Sequence, residues 1–219
     1  MGMKDFILAE NAGKQAWQII TGDFYALGKA SNFSGVCMTL VIQWFIELKF
    51  ANGVAPDTLA RYMLHGNFRR YGYSTVFKMQ DHYGTIGDRS FVRHLSGAAL
   101  ECDNPENAAS AAAHWRLVRE KIYGIQRDSE AVQLVMNPQP YSGLLGLYGN
   151  NSWLIRKLGS PRWAHAVGIH CNGQKTYIFD PNYGVAIFDA QQWGPISQFF
   201  TAMWSDYKMN RGDLADITL

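Results

Sequence analysis

The order of helical and strand-like segments along the chain predicts an α+β fold, with the helices first and an antiparallel sheet last. Residues 36–51 carry apolar side chains around most of a helical cylinder, a pattern typical of a helix that is buried on nearly all sides. Asn172-Gly173 lies between two apolar runs and predicts a tight hairpin. The antiparallel sheet is predicted to contain residues 164–170, 176–179 and 185–188.

Shorter or weaker patterns predict the other elements. Gly194-Pro195 should break or delay the start of the final helix. No internal repeat or linker divides the chain, so residues 1–219 are expected to form a single domain. The remaining helices are predicted at residues 11–30, 57–64, 104–123 and 189–207, and a short additional strand at residues 131–136.

Composition excludes several classes of protein. Hydrophobic residues make up 47% of the 219 residues and charged residues 17%, which is ample for a folded core and excludes overall disorder. The net charge of +2 is too small for a dedicated nucleic-acid binder. Charged and polar residues interrupt the longest apolar run, so no integral membrane segment is predicted. The N-terminal residues do not form the apolar core of a cleavable signal peptide.

Cys37 is the first candidate for chemistry. It follows a polar turn that contains Gly35 and is predicted to lie in the first turn of the helix at 36–51. The free N–H groups and positive dipole end of a helix start favour a thiolate over a thiol. Packing is the alternative, because cysteine is among the most buried residue types. Three cysteines that lie far apart in sequence predict neither a disulfide framework nor a thiolate zinc site.

The base that would activate Cys37 is sought among the six histidines. His165 and His170 share one predicted strand, and their odd separation directs their side chains to opposite faces, where they cannot share a metal. A hairpin that turns at Asn172-Gly173 pairs residues whose numbers sum to about 345, which places Asp180 directly opposite His165. A carboxylate beside an imidazole fixes its tautomer. Cys37, His165 and Asp180 are therefore the predicted catalytic residues, with no metal and no cofactor.

Three segments resemble the YopT-like (AvrPphB-like) cysteine peptidases, which are papain-fold effectors of bacteria: GVCMTLVIQWF around Cys37, AHAVGIH around His165 and FDPNYG around Asp180. The resemblance extends from about residue 32 to about residue 200. It implies a papain-like fold in which the nucleophile begins a buried helix and the helical part packs on a C-terminal antiparallel sheet. It also implies that Cys37 is the nucleophile, His165 the general base and acid, and Asp180 the orienting residue. Asn32, five residues before Cys37, would help form the oxyanion hole.

The same resemblance implies a protein or peptide substrate in a target cell. It implies synthesis in a bacterial cytoplasm and secretion, without a cleavable signal peptide, into a host or rival cell. An immunity protein or a secretion chaperone is a further partner of the kind expected.

Self-processing and membrane anchoring are not expected, because the extended N-terminal region and a lipidation pattern at Gly2 are both absent. Ser31 also stands where papain itself carries a glutamine.

Three functions remain open at the level of the sequence. The leading hypothesis is a protease that cleaves an amide bond in a protein target. The same triad would also serve cell-wall peptide hydrolysis, deamidation or transglutamination. A catalytically inert papain-like binding module is the third alternative, against which the intact set of Cys37, His165 and Asp180 argues.

Overall fold

The structure is a computed structural model that describes residues 37–50, 53–62, 122–136, 140–149, 163–181, 183–190, 192–217 and 219. The helices of the described residues are α1 (Cys37–Phe50), α2 (Pro56–Tyr62), α3 (Asp128–Val135) and α4 (Trp193–Asp206). The strands are β1 (Ile122–Ile125), β2 (Tyr141–Gly149), β3 (Trp163–Cys171), β4 (Lys175–Asp180), β5 (Gly184–Asp189) and β6 (Met209–Ile217). The predicted helices at 11–30 and, apart from its last two residues, at 104–123 lie outside the described residues.

The six strands form one sheet in the order β1-β6-β2-β3-β4-β5. β1 pairs with β6, β2 with β3 and β3 with β4, each time in antiparallel orientation. The mixed helices and antiparallel sheet confirm the predicted α+β class. β3 lies between β2, which pairs along its whole length, and β4, which pairs with Gly168–Cys171.

The chain divides into two compact units. The first contains β1, α3, β2, β3, β4 as far as Phe179, β5 from Val185, α4 and nearly all of β6. The second contains α1, α2 and the segment 180–184. That residues 1–219 act as one domain remains a prediction.

Helix α1 confirms the predicted buried helix to within a residue at each end. Leu40, Val41, Trp44 and Phe45 are fully buried, as expected for apolar side chains that surround the cylinder. The indole N–H of Trp44 donates to the backbone carbonyl oxygen of Pro56 over 2.9 Å, which ties α1 to the start of α2. Among the helices of the described residues, none combines the length and the apolar character needed to cross a bilayer.

The β3–β4 hairpin is confirmed, but its register differs from the prediction. The pairs, such as Gly168 with Phe179, have residue numbers that sum to 347, two more than predicted. Asn172 stays paired with Lys175 because its side-chain oxygen accepts the backbone N–H groups of Gln174 and Lys175 over 3.0 and 2.9 Å. The turn residues are therefore Gly173 and Gln174, and Gly173 takes the positive φ of 89°.

This register corrects the predicted direct pairing of His165 with Asp180. A sum of 347 moves every partner on β4 by two residues, so Asp180 is not the residue opposite His165. A shift of two residues preserves side-chain parity, since the period along a strand is two. β4 ends at Asp180, immediately before Pro181, as the missing proline N–H leads one to expect.

The strand predicted at residues 131–136 is wrong, because Asp128–Val135 form helix α3. Its buried side chains, Ala131, Val132 and Val135, have helical spacing. The acidic residues of its first turn suit a helix N-terminus, and a carboxylate oxygen of Glu130 accepts the backbone N–H of Gln126 over 2.7 Å. These helix-start signals outweigh the β-propensity of the two valines.

Helix α4 confirms the predicted closing helix and begins at Trp193, two residues before Pro195. Gly194 and Pro195 are thus accommodated in the first turn, where the missing N–H of proline costs no intrahelical bond. The apolar face of α4 buries Ile196, Phe199, Phe200 and Met203. Tyr207 follows at the C-terminus, and Lys208 then takes a left-handed φ of 46° before β6 begins.

Candidate active site

Cys37 is the first residue of α1, as predicted, and its side chain is partly exposed. Leu40, Val41 and Ile42, which follow it in α1, are fully buried, whereas the thiol is partly exposed. The first N–H groups of a helix have no intrahelical acceptor, and together with the helix dipole they stabilise negative charge. Position and exposure therefore fit a thiolate nucleophile better than a packing residue.

His165 is the third residue of β3, directly opposite Leu147 of β2, and its side chain is 6% exposed. Its Nε2 lies 3.1 Å from the phenolic oxygen of Tyr207, which is hydrogen-bonding distance. The two rings also pack against each other, with centroids 4.7 Å apart and planes inclined by 30°. One partner thus provides both a polar contact and a packing contact that restrict rotation of the imidazole.

Tyr207 is held at a defined position by the end of α4. Its backbone N–H donates to the carbonyl oxygen of Met203 over 3.1 Å, and the N–H of Lys208 donates to the carbonyl oxygen of Ser205 over 3.0 Å. The left-handed conformation of Lys208 reverses the chain into β6 immediately afterwards. Sequence reasoning did not identify Tyr207 as a site residue, because 42 residues separate it from His165 and only the packing of α4 brings them together.

Asp180 is the last residue of β4 and is fully buried. Its backbone carbonyl oxygen accepts the N–H of Tyr183 over 3.1 Å, which closes the turn that leads into β5. A buried carboxylate is stable only where hydrogen-bond donors or positive charges compensate it.

His170 lies on the same strand but points to the opposite face, as the parity of the strand predicts. Its Nδ1 is 2.8 Å from the hydroxyl oxygen of Ser142, the residue opposite it on β2. Its ring stacks on Tyr177, the residue opposite it on β4, with centroids 6.3 Å apart. Burial lowers the pKa of His170 below the ordinary value of 6.5, so this ring is neutral at pH 7.

The predicted site residues therefore stand as follows. Cys37 begins α1, His165 lies on β3 and Asp180 ends β4, each in the element that the sequence predicted for it. The structure adds a contact that the sequence did not predict, between His165 and Tyr207. Asn32 lies outside the described residues, and its role in an oxyanion hole stays a prediction, as does the cooperation of the three catalytic residues.

A family model of cysteine peptidases, Peptidase_C58, described as Yersinia/Haemophilus virulence surface antigen, matches residues 149–217. This range includes His165, Asp180 and Tyr207, whereas Cys37 lies outside it. No significant similarity to a curated protein sequence is found.

Two solved structures resemble the chain. The avirulence protein AvrPphB of Pseudomonas superposes with a TM-score of 0.55 at 12% sequence identity, over 84% of this chain and 92% of that one. PatoxP, a cysteine protease-like domain of the Photorhabdus asymbiotica toxin PaTox, has a TM-score of 0.29 at 12% identity, over 78% of this chain and 50% of that one. The likeness to AvrPphB shows that the fold is the α+β fold of a papain-like peptidase. The chain is therefore similar to the Peptidase_C58 family over residues 149–217 and similar to AvrPphB in its fold.

Proposed function

We propose that this protein is an effector-type cysteine protease that cleaves an amide bond in a protein of a target cell. The observation that carries the proposal is the position of Cys37, a partly exposed thiol at the first residue of a helix whose other core side chains are buried. The match of the family model around His165 and Asp180 supports the same reading. Cys37 is the proposed nucleophile, His165 the general base and acid, and Asp180 the residue that orients His165.

The proposed reaction uses side chains of the protein and one water molecule. His165 takes the proton of the Cys37 thiol, and the thiolate attacks the carbonyl carbon of the scissile amide. The backbone N–H of Cys37 and the side-chain amide of Asn32 stabilise the oxyanion that forms. The imidazolium of His165 then protonates the amine as the C–N bond breaks. Water hydrolyses the thioester after giving its proton to His165, which restores the thiol.

The substrate class and setting of the proposal follow from the family. Virulence effectors act in host cells, so we propose that the chain is secreted into a host or rival cell and meets its protein substrate there. A secretion chaperone or an immunity protein would keep the thiol harmless in the producing cell. Both partners are proposals that a co-purification experiment in the native bacterium can test.

Profiling of new protein termini tests the proposed protease activity. Lysates of target cells are incubated with the wild-type protein, with Cys37→Ala and with His170→Gln, and new N-termini are identified by mass spectrometry. New termini should form with the wild-type and His170→Gln proteins and not with Cys37→Ala. Termini that form equally with Cys37→Ala would overturn the proposal.

The same samples separate the alternative acyl-transfer reactions. Deamidation would leave chain lengths unchanged and convert a glutamine to a glutamate, and transglutamination would cross-link side chains to amines. Either product in place of new termini, if dependent on Cys37, would replace protease activity with that reaction. Release of peptides from purified cell wall tests the third alternative.

Alkylation distinguishes an active thiol from an inert binding module. Iodoacetamide at neutral pH should modify Cys37 much faster than Cys171, which is 1% exposed and serves as the internal control. A thiolate reacts where a thiol does not, so His165→Ala should slow the labelling of Cys37. Equal labelling of Cys37 in the wild-type and His165→Ala proteins would favour the inert module.

A further inference from the structure

The contact between Tyr207 and His165 is the feature of the described residues that the proposed chemistry does not yet use. The phenolic oxygen lies 3.1 Å from Nε2, and the rings are 4.7 Å apart. His165 is nearly inaccessible to solvent, so water does not readily take the place of that hydroxyl. Tyr207 belongs neither to the strands that pair with β3 nor to the three predicted catalytic residues.

We propose that Tyr207 is a positioning residue for His165, whose hydroxyl oxygen accepts the Nε2–H of the imidazole. The proposal rests on the proposed function and names a further residue of the same site. A neutral imidazole carries one N–H and one lone pair. If Nε2 keeps the proton for Tyr207, Nδ1 carries the lone pair and is the nitrogen that exchanges protons with the thiol and the leaving amine.

A hydroxyl suits this task through both stages of the reaction. Its oxygen accepts the Nε2–H when the ring is neutral and continues to accept it when the ring becomes an imidazolium, so the contact persists throughout proton transfer. A hydroxyl also carries no charge. Its contribution is therefore to orientation, and because both ring nitrogens then have partners, the negative charge of Asp180 would act on the ring electrostatically and stabilise the imidazolium.

The local structure holds the hydroxyl at the required position. The last hydrogen bonds of α4 and the reversal at Lys208 fix the backbone of Tyr207. The charged residues that flank it, Asp206 and Lys208, are exposed and carry opposite charges. The phenol ring of Tyr207 packs against the imidazole ring of His165, and this contact restricts rotation of the imidazole about its Cβ–Cγ bond.

Nuclear magnetic resonance of the ring nitrogens tests the proposal without any substrate. The Cys37→Ala protein is labelled with 15N-histidine, and His165 is assigned by the loss of its signals in Cys37→Ala/His165→Gln. At a pH above the titration midpoint of His165, its protonated nitrogen should be Nε2, with a proton shifted downfield by the hydrogen bond. The added change Tyr207→Phe keeps the ring and should shift that proton upfield or lose it to exchange with water.

The matched control is Tyr123→Phe. Tyr123 donates a hydrogen bond of the same 3.1 Å length to Asp216, in the same compact unit, but on β1, three strands from β3 and roughly 14 Å away. This change should leave the His165 signals where they are. A ring protonated at Nδ1, or an Nε2–H signal that Tyr207→Phe leaves unchanged, would overturn the proposal.

The rate at which Cys37-dependent termini appear gives the second measurement. Tyr207→Phe should lower that rate about tenfold to a hundredfold, the effect of a hydrogen bond to a charged group, and Tyr123→Phe should change it less than about twofold. Wild-type rates in Tyr207→Phe would refute the positioning role. Absence of Cys37-dependent termini in the wild-type protein would instead refute the protease activity, while the resonance measurement would still decide the contact.

Discussion

Two histidines of one strand show how similar surroundings can serve different ends. His165 and His170 both lie on β3, both have a ring nitrogen within hydrogen-bonding distance of a hydroxyl, and both contact a tyrosine ring. The partners of His170 are Ser142 and Tyr177, which the sheet register places directly opposite it. The partner of His165 arrives from the end of α4, outside the strands that flank β3.

The difference teaches that burial and a hydroxyl partner do not by themselves identify a catalytic histidine. Ser142 and Tyr177 lie beside His170 because the register of the sheet pairs them with it, and no other element is needed to bring them there. The surroundings of His170 therefore fit a structural role. Tyr207 reaches His165 from the end of α4 and the chain reversal at Lys208, so this contact depends on how α4 packs in the same unit. The surroundings of His165 fit a ring whose orientation matters.

The largest expected effect contrasts the two histidines directly. His165→Ala and Cys37→Ala should each lower the rate of substrate cleavage by several orders of magnitude, since loss of a nucleophile or its base removes the chemical step. His170→Gln should keep activity close to the wild-type value per folded molecule. Initial rates, corrected for the folded fraction from circular dichroism, provide the measurement. An inactive but folded His170→Gln, or an active His165→Ala, would reverse the assignment of the two rings.

That contrast also marks what the sequence could and could not predict. The buried helix around Cys37 and the strands β3, β4 and β5 were predictable, because apolar periodicity and Asn172-Gly173 are local signals. β2 was missed since its many glycines weaken a strand pattern, and β6 was missed since it carries a glycine and several charged residues. The register followed the side chain of Asn172 instead of the bare dipeptide rule.

Within the site too, the sequence points only to residues that stand in a recognisable local pattern. His165 is selected through a direct pairing with Asp180 that the register contradicts, and Cys37 through its position at the helix start; the catalytic roles of both stay predictions. Tyr207 could not be selected, because its contact with His165 depends on how α4 packs, which no short pattern encodes.

Asp180→Asn should have the next largest effect. We expect a loss of about 10² to 10⁴ in turnover, because the amide removes the negative charge that would stabilise the imidazolium of His165. Because Asp180 is fully buried, a water molecule does not easily enter to replace the interactions of the lost carboxylate. The turnover of Asp180→Asn is measured by steady-state kinetics on a substrate that terminus profiling has identified. The control is Asp189→Asn, which changes an exposed aspartate at the end of β5. Equal rates for the two variants would remove Asp180 from the catalytic set.

Ser142→Ala should change stability and leave catalysis unaffected. It removes the hydroxyl at 2.8 Å from Nδ1 of His170, and loss of one such hydrogen bond costs about 1 kcal/mol in the free energy of unfolding. Urea unfolding followed by fluorescence would give the difference from the wild type. A fall in activity per folded molecule would show that the His170 face takes part in catalysis.

The smallest expected effect is a pH dependence of stability carried by His170. Its pKa is lowered by burial, so the unfolded chain binds a proton at pH values where the folded ring does not. The free energy of unfolding should therefore fall as the pH decreases from about 6.5 toward the lower pKa of the folded state. The slope should be shallower in His170→Gln, and parallel slopes for the two proteins between pH 7 and 5 would show that His170 makes no such contribution.

The place of β6 in the sheet has a consequence for how the molecule is built. Among the described strands, β6 lies between β1 and β2 and is the one that pairs with β1. At roughly 5–20 residues per second, synthesis from the end of β1 to the end of β6 takes roughly 5–20 seconds. During that interval the edge of β2 that β6 later covers is open once β2 has been made, and β1 has no strand of the described sheet to pair with. Because open strand edges recruit other chains, the nascent protein is most exposed to aggregation in the seconds before β6 emerges.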